Sequence, residues 1–455
     1  MKKFLLAITV LLSLAMSITV SAKESEKLNY SSVLLSDKLY TVVSIKDGKY
    51  TTALNVYDTE ALQVNLNTPS YTSYMYIKFR QTVPESLELL VADEAGNHTT
   101  RTVYPKYLHE LIEIDSELSL IEITSPEKFA VCELELYGEG ELPPNVQKWE
   151  KSFDECDILV ISTHADDDTL FFGALTAENI AKGRLVQTAF VSDHPNEPHR
   201  LNELLDGQWA LGVTAYPIIG NFRDYYSTTL QKALTQYNSD EICEFLVECI
   251  RRTKPGVVVT HDEKGEYGHG AHMLVSSVSK SAFEYAKDIS KYPELVKEYG
   301  THAAQRLIIH LCKENPIKLD VHKTYDELGG KSPFDIAKEA YSCHISQQKW
   351  DFKVTDKGTD DCSSFGVFAG NTAATDNDIM STLKTITPDI MSEALTHFSG
   401  KTEPSHKSTH IDTTVSLDDD GKASNDTIFN CVIIALLTIL IFAFSETVKR
   451  IRIYK

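Results

Sequence analysis

Positive charge is scarce in this sequence. The 455 residues include 44 Lys and Arg against 65 Asp and Glu, which gives a formal net charge of -21. A surface of that sign repels the phosphate backbone of nucleic acids and anionic lipid headgroups. We therefore expect no nucleic-acid partner.

Paired cysteines are also missing. Eight cysteines occur, but no two of them form a CxxC pair, so neither a structural zinc cluster nor a thioredoxin-like motif is indicated. Export would permit disulfides, although the sequence alone assigns none. Cys243 and Cys249 fall within one helical pattern, where a small apolar role is expected.

No long amphipathic helix interrupts the sequence between the first 22 residues and about residue 147. Short segments such as SYMYIKFR and CELELYG alternate apolar with polar residues, and KDGK and DEAGN supply turns. This pattern predicts an antiparallel β-sandwich, jelly-roll-like, over residues 23–147. The segment GEGELPPNVQ then indicates a domain boundary.

Continuous apolar runs appear after Trp149. DILVIST, LVQTAFVS, AYPIIG and GVVVT suit strands buried on both faces, and helical patterns separate them. The alternation predicts a doubly wound, mainly parallel, Rossmann-like α/β domain over residues 150–398. One predicted helix has Ser239 as its cap, and another has Ser332 as its cap and Pro333 at its first position.

The two ends of the chain carry targeting patterns. Residues 1–22 combine a basic start, an apolar run and small residues before the expected cleavage site, which is typical of a secretory signal peptide. Residues 400–427 are polar and predict a flexible stalk. Residues 428–445 form a nearly unbroken apolar run, which predicts a single transmembrane helix, and the basic tail 446–455 is expected in the cytoplasm.

These segments predict an exported protein that is anchored at the cell surface with its body outside. The membrane is therefore an expected partner, through the C-terminal helix. A buried core helix is the alternative, but such a helix rarely ends a chain behind a polar stalk. A removed lipid-anchor signal would not end in basic residues such as Arg452 and Lys455.

A histidine and three consecutive aspartates directly follow the first strand of the predicted parallel sheet. They are His164, Asp166, Asp167 and Asp168 in DILVISTHADDDTLFFGAL. Ligands bind at the carboxyl edge of such a sheet. A helix cap at Asp168 or Thr169 would explain one aspartate, but not three with a histidine. Crowded anions are costly unless a cation joins them, and a divalent metal is the usual solution.

A catalytic zinc ion takes three protein ligands and keeps one position open for water. His164 and Asp167 can supply two of these ligands. Two polar clusters behind two buried strands favour a metal site over solvated loop histidines. The third ligand is expected in GVVVTHDEKGEYGHGAHMLVSS, which offers His261, Asp262, Glu263, His269 and His272.

The segments HADDD, RLNELLDGQWALGV and THDEKGEYGHGAH resemble the LmbE/PIG-L family of zinc-dependent N-acetylglucosaminyl deacetylases. The signatures of that family are HPDDE and a later GxYGHxxH-type segment. The resemblance runs from Asp157 to about Ile390, with the segments in the family's order. It implies one divalent metal ion, expected to be zinc, held by His164, Asp167 and His272.

The resemblance also implies roles for other residues at the site. Asp166 corresponds to the general base, and His269 corresponds to a histidine that polarises the substrate carbonyl. Three further positions are implied to lie at the substrate: Tyr267, Arg200 and Asp224.

Two positions depart from the family pattern. Ala165 stands where proline is usual, which is expected to loosen the turn that aims His164 and Asp167. Asp168 replaces a glutamate that is one methylene longer, so a contact behind the ligands is expected to change. Neither departure removes a ligand or the base, and activity is therefore expected.

The segment SDHPNEPHR follows the second predicted parallel strand and contains two histidines and two acidic residues. It could form another metal site. Its prolines instead favour an irregular loop, either at the substrate rim or in solvent.

Together these features predict zinc-dependent hydrolysis of the N-acetyl group of an N-acetylated sugar, of the N-acetylglucosamine type, outside the cell. The N-terminal sandwich resembles discoidin or F5/8-type carbohydrate-binding modules in KDGKYTTAL and CELELYGEGE, so it either holds a glycan or serves only for packing. The alternative function is an inactive surface adhesin that keeps the fold and binds glycan, supported by Ala165 and Asp168. A metal phosphoesterase would need more ligands for a second metal.

Overall fold

The computed structural model of the chain describes residues 23–35, 38–40, 42–373 and 377–386. The predicted signal peptide, stalk, transmembrane segment, basic tail and the last residues of the predicted α/β domain lie outside these ranges. None of the helices in the described ranges is long and apolar enough to cross a membrane. The transmembrane helix over 428–445 therefore stays a prediction.

The N-terminal part of the chain is a β-domain in which every strand pairing is antiparallel. β6 shows why these segments form strands, because it buries Leu87, Leu89 and Val91 and leaves the residues between them partly exposed. The antiparallel architecture predicted for this region is thus confirmed. The nine strands are β1 (Lys27–Leu28), β2 (Tyr30–Leu35), β3 (Lys38–Tyr40), β4 (Leu54–Val56), β5 (Leu62–Phe79), β6 (Leu87–Ala92), β7 (His98–Val103), β8 (His109–Thr124) and β9 (Phe129–Tyr137).

The second part of the chain contains a seven-stranded sheet with the order β12-β11-β10-β13-β14-β16-β15. The first five strands of this order run parallel, and β16 and β15 are antiparallel to their neighbours. The predicted mainly parallel α/β sheet is confirmed. Its strands are β10 (Ile158–Ser162), β11 (Val186–Ser192), β12 (Ile218–Phe222), β13 (Val257–Thr260), β14 (Arg306–His310), β15 (Pro316–Lys318) and β16 (Ser364–Gly370).

Helices connect the parallel strands. The described helices are α1 (Asp167–Phe171), α2 (Gly173–Ala181), α3 (His199–Ala210), α4 (Leu230–Gln236), α5 (Ser239–Thr253), α6 (Gly270–Tyr285), α7 (Pro293–Tyr299) and α8 (Pro333–Ser342). Single 3-10 turns occur at Val42–Ile45, Glu266–Gly268, Asp326–Leu328, Ile345–Gln347 and Gly358–Asp360.

The parallel strands are buried on both faces, as their continuous apolar sequences predict. In β10, Val160 belongs to the apolar cluster on one face and Leu159 to the cluster on the other. Apolar residues of α2 and α8 complete the first cluster, while α5 and α6 complete the second. Helices therefore cover both faces of the sheet, which is the doubly wound arrangement.

The strand order reverses direction between β10 and β13. From β10 the chain proceeds outward to β11 and β12, and then returns to place β13 on the other side of β10. The connections therefore diverge at the carboxyl ends of these two strands and leave a crevice, which is where open α/β sheets bind ligands. His164 follows β10 and His261 follows β13, so both clusters predicted from the sequence lie at this crevice.

Of the two helix caps predicted from the sequence, one is confirmed and the other is wrong. Ser332 caps α8, and its side chain forms a reciprocal capping box with Asp335, as the sequence predicted. The prediction for Ser239 was wrong. Asn238 is the cap of α5, because its side-chain oxygen accepts a hydrogen bond from Asp240 N at 3.1 Å.

Each of the seven cysteines in the described residues has a free thiol. Cys243 and Cys249 are buried in the apolar cluster between α5 and the sheet, which agrees with the small apolar role predicted for them. Cys431 lies outside the described residues.

Gly207 lets α3 approach the end of α8 closely. A Cβ atom on Gly207 would lie 2.8 Å from His344 Nε2 and 3.3 Å from Ala340 O. Helix propensity alone favours alanine over glycine by about 1 kcal/mol. We predict that Gly207→Ala nevertheless lowers the free energy of unfolding by about 1–3 kcal/mol, the usual range for overpacking. Denaturant unfolding measures this change, and a stabilised variant would contradict the packing described here.

Candidate active site

The turn after β10 folds back on itself through Asp167. The Asp167 Oδ2 atom accepts a hydrogen bond from His164 N at 2.7 Å, and α1 begins at Asp167. The helix-cap alternative for this segment is wrong, because no side-chain capping bond is present and Thr169 Oγ1 donates to Asp166 O instead. The aspartates are thus not explained by the start of the helix.

Three of the predicted residues meet at one point in the crevice. His164 Nδ1 lies 3.0 Å from Asp167 Oδ2 and 3.1 Å from His272 Nε2, and the last two atoms are 3.1 Å apart. Ligand atoms of a tetrahedral zinc ion, with bonds of about 2.0–2.1 Å, are about 3.3 Å from one another. Two imidazoles and one carboxylate, the donor set of this cluster, are also typical of catalytic zinc. These three residues therefore fit the predicted metal ligands.

Carboxylates behind the two imidazoles aim their nitrogens. His272 Nδ1 lies 2.8 Å from Glu266 Oε2, so this nitrogen carries the proton and leaves Nε2 free to bind a cation. His164 Nε2 lies 3.3 Å from Asp224 Oδ1, an ion-pair distance without a hydrogen bond, so the charge of Asp224 favours Nδ1 as the nitrogen that faces Asp167. Histidine ligands of metals are commonly held by such a carboxylate on the other nitrogen. The surroundings thus prepare both side chains for a metal ion.

Glu266 is a buried hub that sequence reasoning missed. Besides His272, its carboxylate accepts hydrogen bonds from His261 Nδ1 at 2.8 Å, His310 Nδ1 at 2.7 Å and Asp262 N at 3.0 Å. Its own side chain is fully buried. His310 is the last residue of β14, RLIIH, and a histidine at the end of an apolar strand was the available signal for it.

His261 is held one layer behind the three candidate ligands. Its Nε2 accepts a hydrogen bond from Thr163 N at 2.9 Å, and its Nδ1 faces Glu266. Both nitrogens are therefore engaged, although His261 also lies near Asp167 and His272. Of the other two candidates from the same segment, Asp262 donates its backbone N–H to Glu266, and Glu263 is exposed and pairs with Lys280.

The electrostatics of the three candidate ligands favour a cation. Burial opposes ionisation of Asp167, but His272 and His164 outweigh it and hold the pKa of this carboxyl well below its usual range. Burial likewise lowers the pKa of His164, but Asp224 and Asp167 raise it to about 10, and carboxylates raise the pKa of His272 to about 9. A divalent cation would supply the same positive charge and release these protons.

Asp166, the predicted base, is oriented by Arg200. Arg200 Nη2 donates to Asp166 Oδ1 at 2.6 Å, and Nη1 donates to Asp224 Oδ2 at 3.2 Å. Among the described residues, no hydrogen bond engages the second carboxylate oxygen of Asp166. Arg200 was predicted to lie at the substrate, yet it is buried and faces the two aspartates. Asp224 keeps 28% of its side chain exposed, so contact with a substrate stays a prediction for this residue.

His194 is a second residue whose role the sequence did not reveal. It is buried, and its Nε2 accepts a hydrogen bond from Ala165 N at 3.1 Å. Proline has no N–H, so the residue usual at this position could not make this bond. The turn expected to be loosened by Ala165 is therefore held by His194. The segment SDHPNEPHR accordingly contributes a buried support, and the remaining ring nitrogen, His194 Nδ1, lies 3.4 Å from Asp224 Oδ2.

His269 and two tyrosines lie on the open side of the three candidate ligands. The His269 ring centroid is 4.8 Å from that of His164, and its Nδ1 has no hydrogen-bond partner among the described residues. Burial, followed by repulsion from His164 and His272, lowers the pKa of His269 to about 3. This histidine is therefore neutral near pH 7.

Tyr267 and Tyr226 flank His269. Their ring centroids lie 5.6 Å and 5.3 Å from the His269 ring, and their exposed fractions are 42% and 72%. Tyr267 adopts a left-handed backbone conformation with φ of 44°, which is costly for a residue with a side chain. Tyr226 was not singled out in the sequence.

Asp168 is fully buried on the opposite side of α1. Its Oδ2 accepts a hydrogen bond from Gln208, and Gln208 in turn accepts one from Thr188 at 2.6 Å. Burial raises the pKa of Asp168 well above its usual range. Asp168, which is one methylene shorter than the glutamate usual in the family, thus joins α1 to α3. Its Oδ1 has no hydrogen-bond partner in the described part of the chain.

Part of the chain is similar to known proteins. Residues 159–283 match the family described as PIG-L, GlcNAc-PI de-N-acetylase. The chain is 27% identical over 165 residues to the 1D-myo-inositol 2-acetamido-2-deoxy-alpha-D-glucopyranoside deacetylase of Geodermatophilus obscurus, covering 30% of this chain and 56% of that protein. It is 29% identical over 158 residues to the protein of the same name from Thermobispora bispora, covering 29% and 52%.

The chain thus spans about half the length of the curated relatives it matches. Among solved structures, it is similar to the N,N'-diacetylchitobiose deacetylase of Pyrococcus horikoshii, with 16% identity and a TM-score of 0.34. That match covers 43% of this chain and 71% of the other.

The contact between Glu266 and His272 generates a prediction about metal affinity. Glu266→Gln replaces one acceptor oxygen with an amide donor, so the orientation of His272 is no longer enforced. Loss of such a carboxylate typically weakens metal binding about 10–100-fold. We expect a decrease of this size in Zn²⁺ affinity, measured by competition with a chromogenic chelator. Glu263→Gln, at an exposed glutamate three residues earlier, is the matched control and should bind Zn²⁺ like the unchanged protein.

Proposed function

The chain belongs to the LmbE/PIG-L deacetylase family, and we propose that it hydrolyses the N-acetyl group of an N-acetylglucosamine-type sugar with one zinc ion. The observation that carries this proposal is the cluster of His164, Asp167 and His272, whose donor atoms lie 3.0–3.1 Å apart. Glu266 holds the outer nitrogen of His272 by a hydrogen bond. The relatives are named as deacetylases of an acetamido sugar, which supports the substrate class.

Zinc is the metal we propose for this cluster. Two imidazoles and one carboxylate suit zinc better than magnesium or calcium, which prefer oxygen ligands. When bound, the ion supplies Lewis acidity toward water and toward the acetamide carbonyl. The rest of the reaction depends on side chains of the chain itself.

Asp166 is the proposed general base. It lies next to the ligand Asp167, and the Arg200 guanidinium holds one of its oxygens. The other oxygen can take a proton from water as the water oxygen attacks the acetamide carbon. Asp166 can then return this proton to the amide nitrogen, so that the C–N bond breaks and acetate and a free amine are released.

His269 is proposed to stabilise the tetrahedral oxyanion. Since its pKa is lowered to about 3, it does so as a neutral ring that donates one N–H, and not as a charged imidazolium. The two exposed tyrosines beside it offer flat apolar faces to the C–H groups of a sugar ring. Tyr267 is further supported by the Phe352 ring, 4.9 Å away.

We further propose that the reaction takes place outside the cell, with the chain anchored at the membrane. The signal-peptide pattern of residues 1–22 and the apolar run 428–445 support this location. Both segments lie outside the described residues.

The base assignment predicts the behaviour of Asp166→Asn. The full-length variant should retain its affinity for Zn²⁺ but lose about 10²–10⁴-fold in kcat, because proton transfer by a positioned base contributes that much. Acetate release from a panel of N-acetylated mono- and oligosaccharides measures the rate. Asp154→Asn, at an exposed aspartate, is the control. If the unchanged, zinc-loaded protein binds sugars but releases no acetate, the deacetylase proposal is wrong, and an inactive glycan-binding adhesin is favoured.

The exposed position of Tyr226 beside His269 predicts that Tyr226→Ala affects the kinetics differently from Asp166→Asn. Because this ring lies at the opening and touches none of the candidate ligands, its removal should raise KM several-fold, in line with about 1 kcal/mol for an aromatic contact, and leave kcat nearly unchanged. Steady-state kinetics on the best sugar of the panel measures both constants. Tyr104→Ala removes a similarly exposed tyrosine of the β-domain and should change neither. A large fall in kcat for Tyr226→Ala would contradict a role limited to the rim.

A further inference from the structure

Helix α3 connects the β-domain with the candidate active site. Near its start Arg200 contacts Asp166, and near its end Gln208 contacts Asp168. Asn202 and Asp206 are four residues apart, so they share another face of the helix. That face contacts the β-domain.

The Asp206 carboxylate receives three donors from outside α3. Tyr50 Oη donates to Oδ2 at 2.5 Å, Gln147 Nε2 donates to Oδ1 at 2.6 Å, and Lys78 Nζ lies 3.4 Å from Oδ1. Lys78 also donates to Tyr50 Oη at 2.6 Å, which links two of the donors to each other. Lys78 belongs to β5, and Gln147 belongs to the segment between the two sheets.

Asn202 adds a second connection one turn earlier on α3. Its Nδ2 donates to Arg80 O at 3.0 Å, and its Oδ1 lies 2.9 Å from His109 Nε2. His109 and Asn202 are both fully buried. The β-domain therefore holds α3 at two successive turns, the first of which lies only two residues from Arg200.

We propose that Asp206 is a positioning residue for the reaction, which anchors α3 to the β-domain and thereby holds Arg200 against Asp166. The inference rests on the proposed function, in which Asp166 is the base. In this proposal the β-domain contributes to turnover by holding α3 in place, whether or not it binds a glycan. A purely structural role for Asp206 is the competing explanation, and it predicts loss of stability without a specific change in kcat.

The test compares Asp206→Asn with Tyr216→Phe in the full-length protein. Asp206→Asn keeps the side-chain volume but removes the charge that Tyr50, Lys78 and Gln147 share. Tyr216 also joins the two domains, since its hydroxyl accepts a hydrogen bond from Leu108 N at 3.3 Å, but it lies outside α3. We expect Asp206→Asn to lower kcat about tenfold or more, because a misplacement near 1 Å can cost about 100-fold. KM, Zn²⁺ affinity and the kinetics of Tyr216→Phe should stay unchanged.

A double-mutant cycle with Arg200→Lys tests the route of the effect. If Asp206 acts through Arg200, Asp206→Asn should cause little further loss of kcat in the Arg200→Lys background. Additive losses, or equal losses in Tyr216→Phe, would overturn the proposal. Should Asp206→Asn fail to fold, Tyr50→Phe removes one donor from the same carboxylate and should lower kcat in the same direction.

Hydrogen exchange provides a readout that does not require turnover. Asp206→Asn should accelerate amide exchange in α3 and leave α5, on the other side of the sheet, unchanged. Unchanged exchange in α3 would overturn the positioning role whether or not the protein is active. A wild-type protein that releases no acetate would instead count against the proposed function alone.

Discussion

The candidate active site depends on the pairing of one buried carboxylate, Asp167, with two imidazoles. His164 comes from the turn after β10, and His272 comes from the first turn of α6, the helix that follows β13. A carboxylate with almost no access to water is costly unless positive charge or hydrogen-bond donors meet it. His164 and His272 both lie within 3.1 Å of Asp167 Oδ2, and this is possible because β10 and β13 are neighbours at the reversal of the strand order. The topology of the sheet thus creates the cluster that a metal ion can join.

Each imidazole of this cluster lies between two carboxylates. His164 is between Asp167 and Asp224, and His272 is between Asp167 and Glu266. The hydrogen bond from His272 to Glu266 decides which His272 nitrogen faces the centre, and Glu266 is itself held by two more histidines. Rigid strands and layered hydrogen bonds together fix the donor atoms, which is how efficient metal sites are built. The same principle extends outward through Arg200 and α3 to the β-domain.

The sequence predicted those parts of the site that follow directly from local pattern. Strands β10 and β13 appear as apolar runs, and polar residues immediately after such runs must lie at the carboxyl edge of the sheet. His164 and Asp167 were predicted in this way, whereas His272, which lies within α6, was selected among five candidates by the family resemblance. Glu266, His194 and Asp206 could not be found, because their roles arise from partners up to 156 residues away along the chain. Likewise Asn238, not Ser239, caps α5, since two adjacent residues with capping side chains differ only in backbone geometry.

We propose that a metal ion held by His164, Asp167 and His272 makes this chain a sugar deacetylase. The most direct test measures acetate and primary amine released from N-acetylated sugars by the full-length protein, first depleted of metal and then reloaded. We expect acetate and amine in equal amounts. Release of both products should stop when the metal is removed and return when one equivalent of Zn²⁺ per chain is added. Release that persists without metal, or no release by protein that holds one equivalent, would contradict this proposal.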